Sequence, residues 1–267
     1  MKKNSIDVLL VVLYKTKVEN STTIQSYLLN CAQYYDKIKL IIWDNSPDAS
    51  NIEDFKSIAN LNYRYYHTPE NLSLSVIYNR VADLYPDSEF IYYFDQDSEI
   101  TDQYFKQQLI AAQNHPDINL FVPIIEHHNK IFSPAKRQLH RGIYYKTRPN
   151  GIVDSDHFIA IMSGMCVKTQ IVANKIVRFD ENLTLYGIDT KFSIDFSKKY
   201  TQLYVLDYTL NHSLSVFDDN DKDSLKRRYK NHIRASLYIA RQISPIAFIT
   251  CLIAVVKNYI INKYKMI

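Results

Sequence analysis

Hydrophobic positions in the first hundred residues fall into short unbroken runs. Between the runs lie polar stretches with an apolar residue at every third or fourth position. Ile6–Leu13 is such a run, β-branched and continuous, as a strand buried on both faces would be. Lys39–Trp43, Asn62–Tyr66 and Phe90–Phe94 read as three more strands. Ser21–Tyr34, Ile52–Ile58 and Ser73–Leu84 carry helical spacing, the first behind a Ser/Thr cluster suited to a helix N-terminus. This alternation predicts an α/β fold: a Rossmann-like, mostly parallel central sheet flanked by helices. Farther on, Tyr104–Asn114 predicts a helix, Asn119–Ile125 a strand and His127–Gly151 a polar, basic loop. Phe158–Val167 reads as a strand broken at Ser163-Gly164. A helix starts near Asp189 or Thr190, and Leu203–Leu206 is a further strand.

The end of the chain has a different pattern. Lys226-Arg227-Arg228-Tyr229-Lys230 opens a basic helix running past Arg234 and Arg241, and Ile243–Val256 follows as an apolar stretch before Lys257, Lys263 and Lys265. That stretch is shorter than the roughly 20 apolar residues a membrane-spanning helix needs. A basic helix beside a short apolar one predicts attachment at a membrane surface, with packing on the core as the alternative. Residues 1–225 are therefore read as one catalytic-type domain and 226–267 as a C-terminal helical tail.

The 267 residues are 46% hydrophobic and 22% charged, enough for a sizeable core and too ordered a composition for a disordered chain. A net charge of +4 does not by itself indicate nucleic acid. The three cysteines, Cys31, Cys166 and Cys251, are far apart and form no C-x-x-C pair, which suits a reducing compartment. The apolar run near the start is too short for a secretory signal. Together these predict a cytoplasmic location, peripheral to a membrane.

The candidate chemistry sits at strand ends. Phe94-Asp95-Gln96-Asp97-Ser98 delivers two carboxylates just past a strand, and residues i and i+2 of an extended segment share a side. Such a pair can hold a hard divalent cation whose other ligands are phosphate oxygens. Asp44, in the turn Asp44-Asn45-Ser46-Pro47-Asp48, falls at the same end of the sheet. In open α/β sheets that end binds ligands.

The ordered series WDNS (43–46), NLSLSVIYNR (71–80), FDQDS (94–98), Ser163-Gly164, YGIDTKF (186–192) and LNHSLS (210–215) resembles family-2 inverting glycosyltransferases of the GT-A fold. It is most similar to the bacterial rhamnosyltransferase branch that builds O-antigen or capsule, and the resemblance spans roughly residues 5 to 242. It implies transfer of a sugar from a nucleotide-diphosphate donor, dTDP-rhamnose or a UDP-hexose, to a lipid-linked saccharide at the inner membrane. Mg²⁺ or Mn²⁺ is the implied cofactor. The implied metal ligands are Asp97, Asp95 and His212, with Asp189 as general base. Asp44, Asn45, Asn71, Asn79 and Asp95 stand at donor-binding positions. Two departures stand out: Ser73 and Ile188 occupy places where the family usually has Gly and Glu. With Ile188 there, the base assignment rests on Asp189, and Asp195 is the second candidate. The competing readings are a nucleotidyltransferase and a non-catalytic protein of the same fold. Tyr14-Lys15-Thr16-Lys17 lacks the glycines a nucleotidyltransferase would want after the first strand.

Overall fold

The computed structural model describes residues 6–127, 130–139, 141–212 and 222–265. Its amino-terminal part follows the predicted alternation: β1 (Asp7–Leu13), α1 (Thr22–Asn30), β2 (Ile38–Asp44), β3 (Tyr63–His67), α2 (Leu74–Leu84), β4 (Phe90–Asp95). Ser21 caps α1 by accepting from the Ile24 N–H at 3.3 Å, the donor that a helix start leaves without a partner. The segment predicted as a helix at 52–58 is a short 3-10 segment, Glu53–Ser57, so the crossover from β2 to β3 is otherwise irregular.

The second part is richer in strands than its sequence suggests. After a two-residue strand β5 (Ser98–Glu99) come α3 (Asp102–Asn114), β6 (Leu120–His127), β7 (Lys130–Ser133), β8 (Ala135–Gln138), β9 (Arg141–Tyr144) and β10 (Gly151–Asp154). The stretch read as a polar loop therefore contains three short strands. It has no apolar alternation to announce them, because they pair at an edge and in a small separate sheet. The broken strand at 158–167 is two elements: β11 (Phe158–Ile159) joins that small sheet, and β12 (Met165–Lys168) enters the main one. Next come α4 (Thr169–Ala173), α5 (Ile188–Ser197), β13 (Gln202–His212), α6 (Lys222–Ile243) and α7 (Pro245–Lys265).

The main sheet runs β10-β13-β6-β12-β4-β1-β2-β3. β3, β2, β1 and β4 are parallel. β12 is antiparallel to both β4 and β6, and β10 is antiparallel to β13, so the sheet is mixed. The chain leaves β1 toward β2 on one side and returns through α2 to β4 on the other. The crevice beyond β1 and β4 is thus the switch point at which such sheets hold ligands.

Strand alternation divides the core. Val8, Leu10 and Val12 face one side, with Ile77 and Val81 of α2, Phe192 of α5, and Ala235 and Ile239 of α6. Leu9, Val11 and Leu13 face the other, with Tyr27 of α1 and Tyr104 and Phe105 of α3. α6 is therefore built into the body of the molecule. α7 packs through Ala247 and Cys251 against Ala240 of α6.

Candidate active site

Loops at the carboxyl ends of β1, β2 and β4 are tied to one another by polar side chains. The Tyr14 N–H donates to Gln96 Oε1 at 2.8 Å, and the Lys15 N–H donates to Ser46 Oγ at 2.9 Å. Ser21 Oγ donates to the Gln96 carbonyl at 2.8 Å, and the hydroxyl of Thr23 donates to the Asp95 carbonyl. Lys17 reaches across to the carbonyls of Asp48 and Ala49 at 3.3 and 3.0 Å. Two of the turns take positive φ without glycine, Lys15 at 55° and Asn71 at 51°. A chain with four glycines spends them elsewhere.

Asp44 ends β2 and is fully buried. Its Oδ1 accepts from the Ser46 N–H at 3.0 Å. Its Oδ2 accepts from the Ser50 N–H, Ser50 Oγ and Tyr65 hydroxyl at 3.0, 2.8 and 2.8 Å. Burial alone would raise this carboxyl, but the donors outweigh it and hold it below the usual range. Asp44 organises the 45–50 loop, and contact with a ligand requires that loop to shift. Asn45 is equally committed. It donates to Asn71 Oδ1 and the Leu72 carbonyl at 2.9 and 2.7 Å, and accepts from the Thr68 hydroxyl and the Leu72 N–H at 2.8 and 2.9 Å. Asn71 is thus held beside β2 by Asn45. The N-cap residue of α2 is Ser73, whose φ of −62° is open to any side chain, so serine replaces the family's glycine without backbone strain. Asn79 is buried and donates to the Phe179 carbonyl and Glu181 Oε1, both at 2.9 Å. It fastens α2 to the segment that leads into α5.

The two carboxylates past β4 emerge where expected. Asp95 is the last residue of the strand, and its N–H donates to Ser163 Oγ at 3.3 Å. Asp97 lies in the following turn, and its Oδ1 is sealed from solvent. Ser98 and Ser163 share a 2.6 Å hydrogen bond that fixes the turn from below. Gly164 holds the other side of that contact at φ +80°; a Cβ there would meet Pro123 at 2.6 Å. The end of β13 pairs with β5, placing the His212 backbone opposite Ser98, one residue from Asp97. The His212 side chain lies outside the described residues. Among the described residues no group of three or more His, Cys, Asp and Glu could hold a metal. Asp95 and Asp97 alone offer hard oxygen donors of the kind Mg²⁺ and Mn²⁺ take, with most positions left to phosphate and water.

Asp189 lies in the first turn of α5, which starts from Gly187 in the left-handed region at φ +77°. Burial pushes its carboxyl up, and the Thr190 N–H, donating to Oδ1 at 2.6 Å, and the His232 charge oppose that only in part. Burial also raises the Tyr78 phenol, and the charges of Asp95 and Asp189 push it the same way. The Tyr78 ring packs edge-on against Tyr93 of β4 and Phe179, both at 5.1 Å, and Phe179 stacks on Phe192 of α5 at 4.4 Å, so α2, β4 and α5 share one packed aromatic cluster. Asp195, the second candidate for a base, is instead paired with Lys191 and with Lys198, the latter at 2.7 Å. Arg148 is also engaged, donating to Glu126 and Thr209 at 3.2 and 2.8 Å.

Several of the residues that shape this region were not singled out by the sequence as site residues: Gln96, Ser21, Thr23 and Tyr78. Gln96 follows a strand and Ser21 and Thr23 stand at a helix start, whereas Tyr78 lies inside α2 and carries no such signal.

Residues 13–172 match the family described as Glycosyl transferase family 2. The chain belongs to that family. No curated protein matches it. Among solved structures, S. aureus TarS 1-349 superposes with a TM-score of 0.55 at 12% identity, over 88% of this chain and 65% of that one. A TarS complex with UDP-GlcNAc gives the same score and identity over 88% of this chain and 66% of that one. GalNAc-T7 with UDP, GalNAc and Mn2+ matches at 0.55 and 12% over 78% of this chain and 44% of that protein. The chain thus spans under two thirds of these neighbours, and at such identities the likeness is one of fold. It is a glycosyltransferase-family chain with a GT-A-like mixed sheet.

Proposed function

We propose that this family-2 glycosyltransferase moves a sugar from a nucleotide-diphosphate donor to a saccharide acceptor, by a single displacement with inversion. The observation that carries the reading is the Asp95-Gln96-Asp97 turn at the switch point of the sheet, on a strand joined through the packed rings of Tyr93, Tyr78, Phe179 and Phe192 to α5, which bears Asp189. UDP and UDP-GlcNAc in the neighbouring structures support a nucleotide-sugar donor; dTDP-rhamnose or a UDP-hexose is proposed here. The Mn2+ of one neighbour supports a divalent cation, which when bound would neutralise charge on the leaving diphosphate. Asp97 and Asp95, with His212, would hold it. Asp44 and Asn45, with Asn71 against them, set the wall beside the base and ribose. Asn79 acts at one remove, by fixing the approach to α5. Asp189 takes the proton of the acceptor hydroxyl, and burial, by raising its pKa, makes it a stronger base than an ordinary carboxylate. The proposed acceptor is a lipid-linked saccharide of bacterial surface-polysaccharide synthesis, at the inner face of the cytoplasmic membrane.

The test is a panel of nucleotide sugars scored by nucleoside diphosphate release, with and without EDTA, for the wild type and Asp97→Asn. Release that depends on the cation and falls at least 100-fold in the variant is expected. Undiminished release by a folded Asp97→Asn protein overturns the reading.

A further inference from the structure

The hairpin of α6 and α7 has an outward face that the fold leaves uncovered. α7 turns Ala247 and Cys251 inward against α6. On its other side Ile246, Ile249, Ile253 and Val256 are 66%, 55%, 61% and 49% exposed, and Leu252 beside them is also exposed. Their spacing of three and four residues makes one continuous stripe along the helix. No helix among the described residues is long and apolar enough to cross a membrane.

The charge around the stripe is one-sided. Residues 222–265 contain ten Lys and Arg against one acidic residue, Asp223, so the rest of the chain is net acidic although the whole is +4. Arg227, Lys230, Arg234 and Arg241 on α6 and Lys257 on α7 are exposed. Ile143 and Tyr144 of β9 are exposed as well.

We propose that this face docks on an anionic lipid bilayer, with α7 lying in the interface, its apolar stripe among the acyl chains and the basic side chains at the headgroups. An apolar stripe bordered by cations and lacking acids fits that surface. A symmetric pairing with a second copy would instead bring like charges together. The hairpin is also joined to the base-bearing segment. Ile239 and Ala235 pack on Gly187, Tyr238 donates to Asp180 at 2.8 Å, and the His232 ring lies 5.9 Å from that of Tyr186. Docking would therefore hold the Asp189 side of the site in a fixed relation to the membrane. The proposal rests on the glycosyltransferase reading only for the presence of an acceptor there, since docking is measured without turnover.

The experiment is flotation of the full chain with phosphatidylcholine vesicles, with and without phosphatidylglycerol. Wild type, Ile249→Glu/Ile253→Glu, and Leu29→Glu as an exposed apolar control on α1 are compared. The expected result is binding to anionic vesicles only, falling about tenfold on raising salt from 0.1 to 0.5 M as charges are screened. The double variant should lose at least about tenfold and the Leu29 variant should match wild type. If the glutamates unfold the chain, Ile249→Ser/Ile253→Ser makes the same comparison. Equal flotation of variant and wild type, no anionic binding by wild type, or a solution dimer that the double variant breaks would overturn the proposal. Diphosphate release onto a water-soluble acceptor should stay within twofold in the double variant. Loss of docking with turnover intact would leave the enzymatic reading standing, and the reverse would leave the docking.

Discussion

At the level of single residues, three carboxylates differ because their surroundings differ. Asp44 is buried among four donors and kept ionised, whereas Asp189 is half-buried with fewer and pushed up. A base must be deprotonated to act. The acid limb of the rate profile is therefore expected above the ordinary carboxylate range, and Asp189→Asn should lower kcat about 10²–10⁴-fold with donor KM changed little. A kcat and pH profile of both proteins checks this. Asp7 lies at the opposite end of β1, where burial raises it from its ordinary 3.8 to about 7 against hydrogen bonds from the Phe90 N–H and Tyr92. The folded state binds this proton more tightly than the unfolded chain. Its stabilisation is complete below pH 4 and is lost as pH rises through about 7. Asp7→Asn keeps an acceptor for Phe90. Thermal melts across that range should show a shallower decline in the variant, with the gap widest above pH 7.

At the level of elements, α5 and α6 meet at Gly187. A Cβ there would sit 2.7 Å from Ile239 Cδ1, and φ is +77°. Gly187→Ala should therefore cost about 2–4 kcal/mol, from left-handed backbone strain plus overpacking. It should also displace the helix that carries Asp189, so turnover should fall as well as denaturant midpoint. Asn79→Ala removes the tie between α2 and Phe179–Glu181 and leaves buried backbone groups unpaired. A loss of about 1–3 kcal/mol by urea unfolding is expected. The elements themselves were legible to different degrees. β1, β2 and β4 announced themselves, because strands covered on both faces must be apolar throughout. The strands within 130–144 did not, because they are short, half exposed and set by their partners. β13 reads as four residues in sequence but runs from Gln202 to His212, since its polar end is held by pairing with β5.

At the level of the whole molecule, charge is segregated, with the basic excess on the last two helices and an acidic remainder. Association with anionic surfaces should therefore fall steeply with ionic strength, while thermal stability changes little. Vesicle binding and melting temperature over one salt series separate the two.

The sequence by itself showed the strands β1 to β4 with the helices α1 and α2 among them, and the family. It also placed the Asp95-Gln96-Asp97 turn at a strand end. These follow from local periodicity and short contiguous motifs, which need no partner to be read. Only the tertiary structure decided the rest. It inserted β12 against the direction of its neighbours and locked Asp44 and Asn45 into their own loops. It joined β4 to α5 through the packed rings of Tyr93, Tyr78, Phe179 and Phe192, and built α6 into the core while leaving the outer face of α7 exposed. Each of those depends on which distant groups share a hydrogen bond or a packed surface, and that is fixed by the folded chain as a whole.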